Sequence, residues 1–429
     1  MGKTEMSYYS GAEWRWPPVS SSVYNNITAI HDHSLPGNEK NSMLTQYCVP
    51  PSQFIRAALV TLCLLTSPAL VQAADFRVGT PAELDSARKS ARPGDVITLG
   101  GKDWHDVRLK LKLKGTPERP ITVRSEVAFT GASSLNLNGE HVILDGLTFR
   151  NGSLETGHVL LIRGAHNRVT RCTIEAYNPD KIDTRYQWLS LDGHHHRVDH
   201  CRFAGQNHSG TTLVVWLDEE GEVGRHRIER NHFLNRPRGN GNGFETLRIG
   251  TSETSLKSAQ CVVSENLFEN CDGEIELISN KSCDNVYERN TIVGCAGALT
   301  LRHGNNCIVR DNLILGNGDR HSGGIRVIGE GHQITGNHIE GVGDRIDGAI
   351  ALSAGVENPK LNQHAQVRNV LIENNTLIDN AGKDIVRGHG LGSRSRTLLP
   401  ENITVKNTRH SGKPAMKQIK PADVGPDAR

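Results

Sequence analysis

Along most of this chain apolar residues come in short runs that alternate with polar ones and stop at glycine or asparagine, as in Ala298-Leu-Thr-Leu-Arg, Gly324-Ile-Arg-Val-Ile and Ala349-Ile-Ala-Leu. A period of two with such punctuation predicts short strands. A second pattern overlies the first: an asparagine followed by an apolar-rich triplet, at Asn231, Asn266, Asn290, Asn312, Asn337 and Asn375, with spacings of 35, 24, 22, 25 and 38 residues. Cys172-Thr-Ile and Cys201-Arg-Phe occupy the same place earlier, and Gly146-Leu-Thr-Phe reads as an earlier copy still. Each unit is too short to fold alone and leaves no room for a ten-residue helix. Two or three strands per unit therefore predict one coil of a solenoid, whose stacking buries the aliphatic positions in a continuous column. The fold class expected is all-β: a single right-handed parallel β-helix spanning residues 75–410. Its asparagines should form a ladder at a turn, each taking the left-handed backbone that this residue tolerates.

One segment departs from the strand pattern. Thr80-Pro81-Ala82-Glu83 combines a capping-box spacing with proline at the first helical position; Leu84, Ala87 and Ala91 follow on one face, and Pro93-Gly94-Asp95 ends the run. This predicts a short helix covering the open N-terminal end of the strand stack. At the other end the repeat fades into lysine, proline and glycine, so residues 411–429 are expected to be a frayed tail.

Upstream of the repeats, a charged start at Arg56, an apolar run from Ala57 to Leu65 and small residues to Ala74 read as a secretory signal at 54–74, with the mature chain beginning near Ala74 or Asp75. The apolar run is far short of the roughly 20 residues that span a bilayer. Thr61-Leu62 before Cys63 does not suit a lipoprotein site. Residues 1–53 show no sustained periodicity and read as a mis-called or disordered extension, with Met43 as a candidate start. The chain is thus expected to be exported, secreted or periplasmic, and monomeric.

Composition adjusts this picture in two ways. Aromatic residues make up only 5% against 44 glycines, which suits turns and aliphatic stacking. A formal charge of +2 gives no global field for nucleic acid or an anionic membrane, so an acidic partner must meet a local basic cluster. Of nine cysteines, Cys48 and Cys63 fall in the leader; seven remain, an odd number that argues against a disulfide framework. Cys271 and Cys295 each follow their ladder asparagine by five residues and should stack as buried thiols on adjacent coils.

The densest unusual cluster is Glu274-Ile-Glu-Leu-Ile-Ser-Asn-Lys-Ser, followed one coil later by Leu301-Arg-His-Gly. On a strand Glu274 and Glu276 would share a face, and two like charges there favour a hard cation; calcium, completed by a carbonyl such as that of Asn242, fits oxygen donors. Arg248, Lys281, Arg302, His303 and Arg326 fall near the ends or outward faces of successive coils, lining a basic groove suited to a polyanion. The run His194-His195-His196 reads instead as a polar turn, because neighbours on a strand alternate faces and cannot all converge on one ion.

Taken together, Asn242-Gly-Phe-Glu-Thr-Leu-Arg-Ile-Gly, Glu274-Ile-Glu-Leu-Ile-Ser-Asn-Lys-Ser, Leu301-Arg-His-Gly and Gly324-Ile-Arg-Val-Ile-Gly resemble polysaccharide lyase family six, the β-helix group of alginate lyases and the chondroitin lyase that cuts dermatan sulfate. The resemblance runs from about Asp75 to Thr408. It implies that Asn242, Glu274 and Glu276 hold Ca2+, that Lys281 is the general base and Arg302 the general acid, and that Arg248, His303 and Arg326 bind substrate. The implied reaction is β-elimination on an acidic, uronate-containing polysaccharide, with alginate expected before dermatan sulfate, which would call for additional groove-facing arginines. Arginine is a reluctant proton donor, so His303 or water remains an alternative acid. Two rival functions are a uronate epimerase, whose Asp-Pro-His-Glu run is missing here, and a non-catalytic polysaccharide-binding solenoid, which needs no base beside a cation.

Overall fold

In the computed structural model, residues 72–102 and 104–428 are described. The expected extension at 1–53, Met43 and nearly all of the expected signal segment lie outside them. From Asp75 onward the chain winds into three parallel sheets of 13, 11 and 10 strands, visited in turn once per coil, as a parallel β-helix requires. Every strand-to-strand pairing follows the same logic: Phe203 sits in register with Phe233, Phe233 with Phe268, Phe268 with Ile292 and Ile292 with Ile314. Such registers convert a weak repeat in sequence into a straight inward column. Phe233 and Phe268 stack with centroids 4.8 Å apart and planes 6° from parallel, and both are fully buried. The 11-stranded sheet carries a second column, Leu247, Ile278, Leu299, Ile325 and Ile350, also fully buried.

The N-terminal helix forms over Pro81–Ser90. The Thr80 hydroxyl accepts from the Glu83 amide, while the Glu83 carboxylate reaches back to the Gly79 amide. Leu84 and Ala87 are buried against the first coils, as the cap required.

The asparagine ladder is present, but its chemistry differs from the expectation. The left-handed residue at each corner is the one before the ladder position: Arg230, Glu265, Arg289, Asp311 and Asn374 have φ of 51–56°, and Gly336 has 68°. The ladder asparagine is instead buried and faces along the stack. Asn290 Oδ1 accepts from both the backbone amide and the side-chain Nδ2 of Asn266, at 3.0 Å each, and Asn312 Oδ1 does the same for Asn290. The remaining Nδ2 hydrogen of Asn290 goes to the Val263 carbonyl. Burial explains the exchange: a fully buried amide side chain must satisfy its own groups, and the next coil is the partner always within reach.

All seven cysteines of the described residues are buried and unpaired, and the Cys271 amide lies 3.3 Å from Cys295 Sγ on the adjacent coil, as the stacked-thiol expectation held. The tail does not end as a free strand. Ile419 donates its amide to Thr291 Oγ1, Gly425 donates to the Arg230 carbonyl, and Val424 is 3% exposed. One apolar side chain with two backbone anchors docks a segment whose composition had suggested fraying. Among the described residues no helix is long and apolar enough to cross a membrane.

Candidate active site

Regular parallel pairing would repeat every side chain on every coil, so a site needs local irregularity. Two of the sheet's register shifts flank the pairing of strands Glu276–Lys281 and Gly297–His303: one lies between Glu276 and Ile278, the other between Asn280 and Lys281. In the second, Asn280 opposes Leu301 while Lys281 opposes His303, leaving Arg302 as the extra residue. A bulge re-aims a side chain that the pleat alone would have fixed. On the same outward face, Arg248, Ser279, Thr300 and Arg326 share one register row.

The residues singled out in the sequence do converge. Glu276, 8% exposed, accepts from Arg326 Nη2 at 2.6 Å and from Ser279 Oγ at 2.5 Å, and Arg302 Nε lies 3.5 Å away. Burial works against its charge, but Arg326, then Ser279, Lys281 and Arg302, outweigh this and hold its carboxyl below the usual range. Asn242, Glu276, Arg302 and Arg326 line one cleft of about 670 Å³.

Other placements correct the sequence picture. Glu274 is not on the strand with Glu276, because the strand begins at Glu276; it sits in the preceding bend, where the Gly243 and Phe244 amides donate to its Oε2 at 2.8 and 3.2 Å. Gly243 offers that amide from φ 98°, a conformation L side chains rarely adopt. Arg248 and Arg326 face outward but are not solvated. Both are 7% exposed; Arg248 lies over the Trp216 ring and 3.7 Å from Glu245 Oε1, while Arg326 is held by Glu276. Buried carboxylates at their feet draw the guanidinium groups down.

His303 is buried and borders a neighbouring cavity of about 490 Å³, with Ser252 Oγ and Arg302 Nη1 each 3.3 Å from its ring nitrogens. Burial, then Arg302, Lys281, His364 and Arg326, push its pKa down to about 2. An imidazole so disposed is neutral at physiological pH and has no proton to give as imidazolium. Burial likewise lowers Arg302, with Arg326 and Arg396 adding to it against Glu276. Arg302 also donates to the Asn362 carbonyl at 3.0 Å.

Sequence reasoning missed several members. Glu245, 1% exposed, is the third carboxylate: Arg248 Nη1 and Lys281 Nζ each stand 3.7 Å from its Oε1, and Thr211 Oγ1 donates to Oε2. Its signal was a glutamate inside the quoted Asn242-Gly-Phe-Glu segment, passed over because no second charge flanked it. His364, Arg394 and Arg396 complete the cleft wall from the loops before strand Arg368–Glu373 and after strand Lys383–His389, where periodicity gives no register.

The donor set fits a hard cation on chemical grounds. Burial, then Glu245 and Glu276, raise the Glu274 carboxyl to about 7, so a cation beside it would favour its ionised form. Oxygen donors from Asn242, Glu274 and Glu276 suit calcium. Among the described residues, three metal-ligating side chains whose ligand atoms all lie within 4.8 Å of one another are found elsewhere, at His166, His194 and His195.

Comparisons with known proteins show the family. The family model described as Chondroitinase B matches residues 78–422. The structure of the PL6 family alginate lyase AlyGC is 37% identical, with a TM-score of 0.74 over 79% of this chain and 50% of that one. This chain therefore spans about half of that relative's length. A PL6 family polysaccharide lyase from Pseudopedobacter saltans is 28% identical (TM-score 0.72, 81% of this chain and 87% of that one). A mannuronic acid specific family 6 lyase from human gut microbiota is 27% identical (TM-score 0.70, 79% and 82%). No curated protein matches the chain.

Proposed function

We propose, from the premise that this chain belongs to polysaccharide lyase family six, matched by the Chondroitinase B family model, that it cleaves alginate by calcium-assisted β-elimination. The observation that carries the reading is the position of Lys281, whose Nζ stands 3.7 Å from Glu245 and close enough to Glu276 to stabilise its charge, beside a cleft lined by four arginines.

The C5 proton of a uronate is hard to remove while the adjacent carboxylate is ionised, because a second negative charge develops beside the first. A calcium ion held by Asn242, Glu274 and Glu276 would supply charge neutralisation at that carboxylate. The chain's own groups do the rest. Lys281 Nζ takes the C5 proton; the electron pair forms the C4–C5 double bond, and the C4–oxygen bond breaks. Arg302, aimed by its bulge and already lowered by burial, stands by the departing oxygen as donor or as stabiliser of its charge, water then supplying the proton. Arg326, Arg394 and Arg396 bind carboxylates of neighbouring sugars in fixed-fork geometry. His303, neutral and buried, packs the back of the site.

Alginate is preferred because AlyGC, similar to this chain at 37% identity, is an alginate lyase. A second reading has its own support: Arg394 and Arg396 are the additional groove arginines that a sulfated polymer such as dermatan sulfate would call for. Incubating the purified chain with each polymer, with and without a calcium chelator, and following ultraviolet absorbance of unsaturated ends separates the readings. Alginate should give the faster rise and the chelator should abolish it. A faster rise on dermatan sulfate reverses the substrate assignment, no rise on either removes the lyase, and a rise indifferent to chelator removes the metal.

A further inference from the structure

Three coils before Lys281, at the equivalent corner of the 11-stranded sheet, the turn after strand Tyr186–Leu191 brings together histidines that the chemistry above does not use. At about 4.8 Å per coil the corner lies roughly 14 Å from the lysine along the stack. His194 pairs with Ala165 of the previous coil, and His195 takes φ 56°, so two residues adjacent in sequence turn their rings toward each other instead of to opposite faces. Their planes are 83° apart and their Nδ1 atoms 2.9 Å apart. His166, from the coil before, stacks on His195 with centroids 4.7 Å apart. The expectation of a polar turn is met, and His196 does point away into the interior; what the alternation argument overlooked is that a left-handed residue breaks alternation and a neighbouring coil supplies a third ring.

We infer that His166, His194 and His195 form a binding site for a late first-row divalent transition ion such as Zn2+, separate from the carboxylate cluster. Their ligand nitrogens all lie within 4.8 Å of one another. Three imidazoles with one position left for water is a donor set suited to zinc, and the same nitrogens suit copper and nickel but not calcium. With Zn–N bonds of about 2.0–2.1 Å, tetrahedral angles place neighbouring nitrogens roughly 3.3 Å apart, so the His194 and His195 pair needs to open by only a few tenths of an ångström. The His166 ring lies within 27° of parallel to His195, and its in-plane lone pairs reach a shared ion only after the ring turns, which breaks its stack on His141, 4.8 Å away and 9° from parallel.

The backbone under these rings is fixed by an inner layer. The His195 amide donates to the Gly224 carbonyl at 2.6 Å, the Asn167 amide to His196 Nδ1, and the His196 amide to His226 Nδ1. Such support holds ligands in place more firmly than a loop would.

The test uses the full chain without a histidine tag, stripped with chelator and then kept in excess Ca2+ so that zinc does not compete for the carboxylates. Calorimetric titration with Zn2+ should give one ion per chain, and Co2+ should give the visible absorption of a nitrogen-rich, low-coordinate site. His166 and His195 both have left-handed backbone, so His166→Asn and His195→Asn are the variants that spare the turn, with His194→Gln where the backbone is ordinary. Each should weaken zinc binding by at least about tenfold, the loss that even outer-shell changes cause. His105→Ala, elsewhere on the surface, should leave it unchanged, and thermal melting confirms that each variant is folded. Absence of a stoichiometric zinc event in the wild type, or undiminished binding in the folded variants, overturns the site.

Discussion

The asparagine ladder and the carboxylate cluster are both buried polar structures on the same coils, and they are built on opposite rules. In the ladder every coil offers the next one the same two donors and the previous one the same acceptor, so Asn231, Asn266, Asn290, Asn312 and Asn337 are satisfied by equivalent bonds of about 3.0 Å. Around Glu276 nothing repeats. Glu276 takes Arg326 and Ser279, Glu274 takes two backbone amides, and Glu245 shares Lys281 and Arg248 at 3.7 Å. The ladder is complete in itself; in the cluster Glu274 is buried beside two other carboxylates, which raises its carboxyl to about 7. Repetition yields stability, and its interruption yields a place where a proton can be moved.

Replacing the reacting amine should separate the two structures most sharply. Lys281→Ala is expected to lower turnover of the cleaved polymer by about 10³-fold or more, within the range for a positioned base, while the melting temperature stays close to wild type. Activity retained within tenfold would show that the base lies elsewhere. On the acid side, Arg302→Lys should reduce turnover by about 10²-fold. His303→Ala should leave the acid limb of the pH profile in place, since that imidazole already sits at about 2; a lost limb in the histidine variant alone would return the donor role to His303.

The reverse experiment acts on the ladder. Asn290→Ala strands the Asn266 amide and Nδ2 in a buried position, and denaturant titration should show a loss of about 3 kcal/mol. Turnover per folded molecule should be unaffected, and a fall in both would mean that ladder and site are coupled. The smallest effect expected is on pH dependence. The folded value of Glu274, about 7, lies above its ordinary 4.5, so its contribution to stability is full below about 4.5 and is lost as pH rises through about 7. Chelator-treated protein should show that decline, Glu274→Gln should flatten it, and added calcium should cancel it. A wild-type curve already flat across that interval would mean that burial and its acidic neighbours do not raise the Glu274 carboxyl.

The same contrast explains what could be read from the chain. The coils, the ladder positions, the helix from Pro81 and the stacked thiols were legible because each repeats or carries a local signature. The corner conformation was assigned one residue late: the sequence marks the conspicuous asparagine, whereas the left-handed strain falls on varied neighbours such as Arg230 and Glu265. Lys281, Arg302 and Glu276 stood out as a dense cluster of charge, and their roles came from the family resemblance. Glu245 was not found, because its importance comes from a strand one coil away; nor were Arg394 and Arg396, which arrive from a segment without period. The placement of Glu274 on one strand face with Glu276 failed on the assumption that alternation continues through a bend.

The ladder also has a direction. Each side-chain oxygen receives from the coil before it, and each main-chain amide gives to the coil after it, so Asn266 waits on Asn290 and Asn337 on Asn375. A ribosome delivers the earlier coil first, and that coil's amide remains without its acceptor until some two to four dozen further residues have emerged. Shortening the gene from its 3′ end therefore leaves a dangling donor in whatever coil becomes last, while trimming from the 5′ side removes only an acceptor's guest.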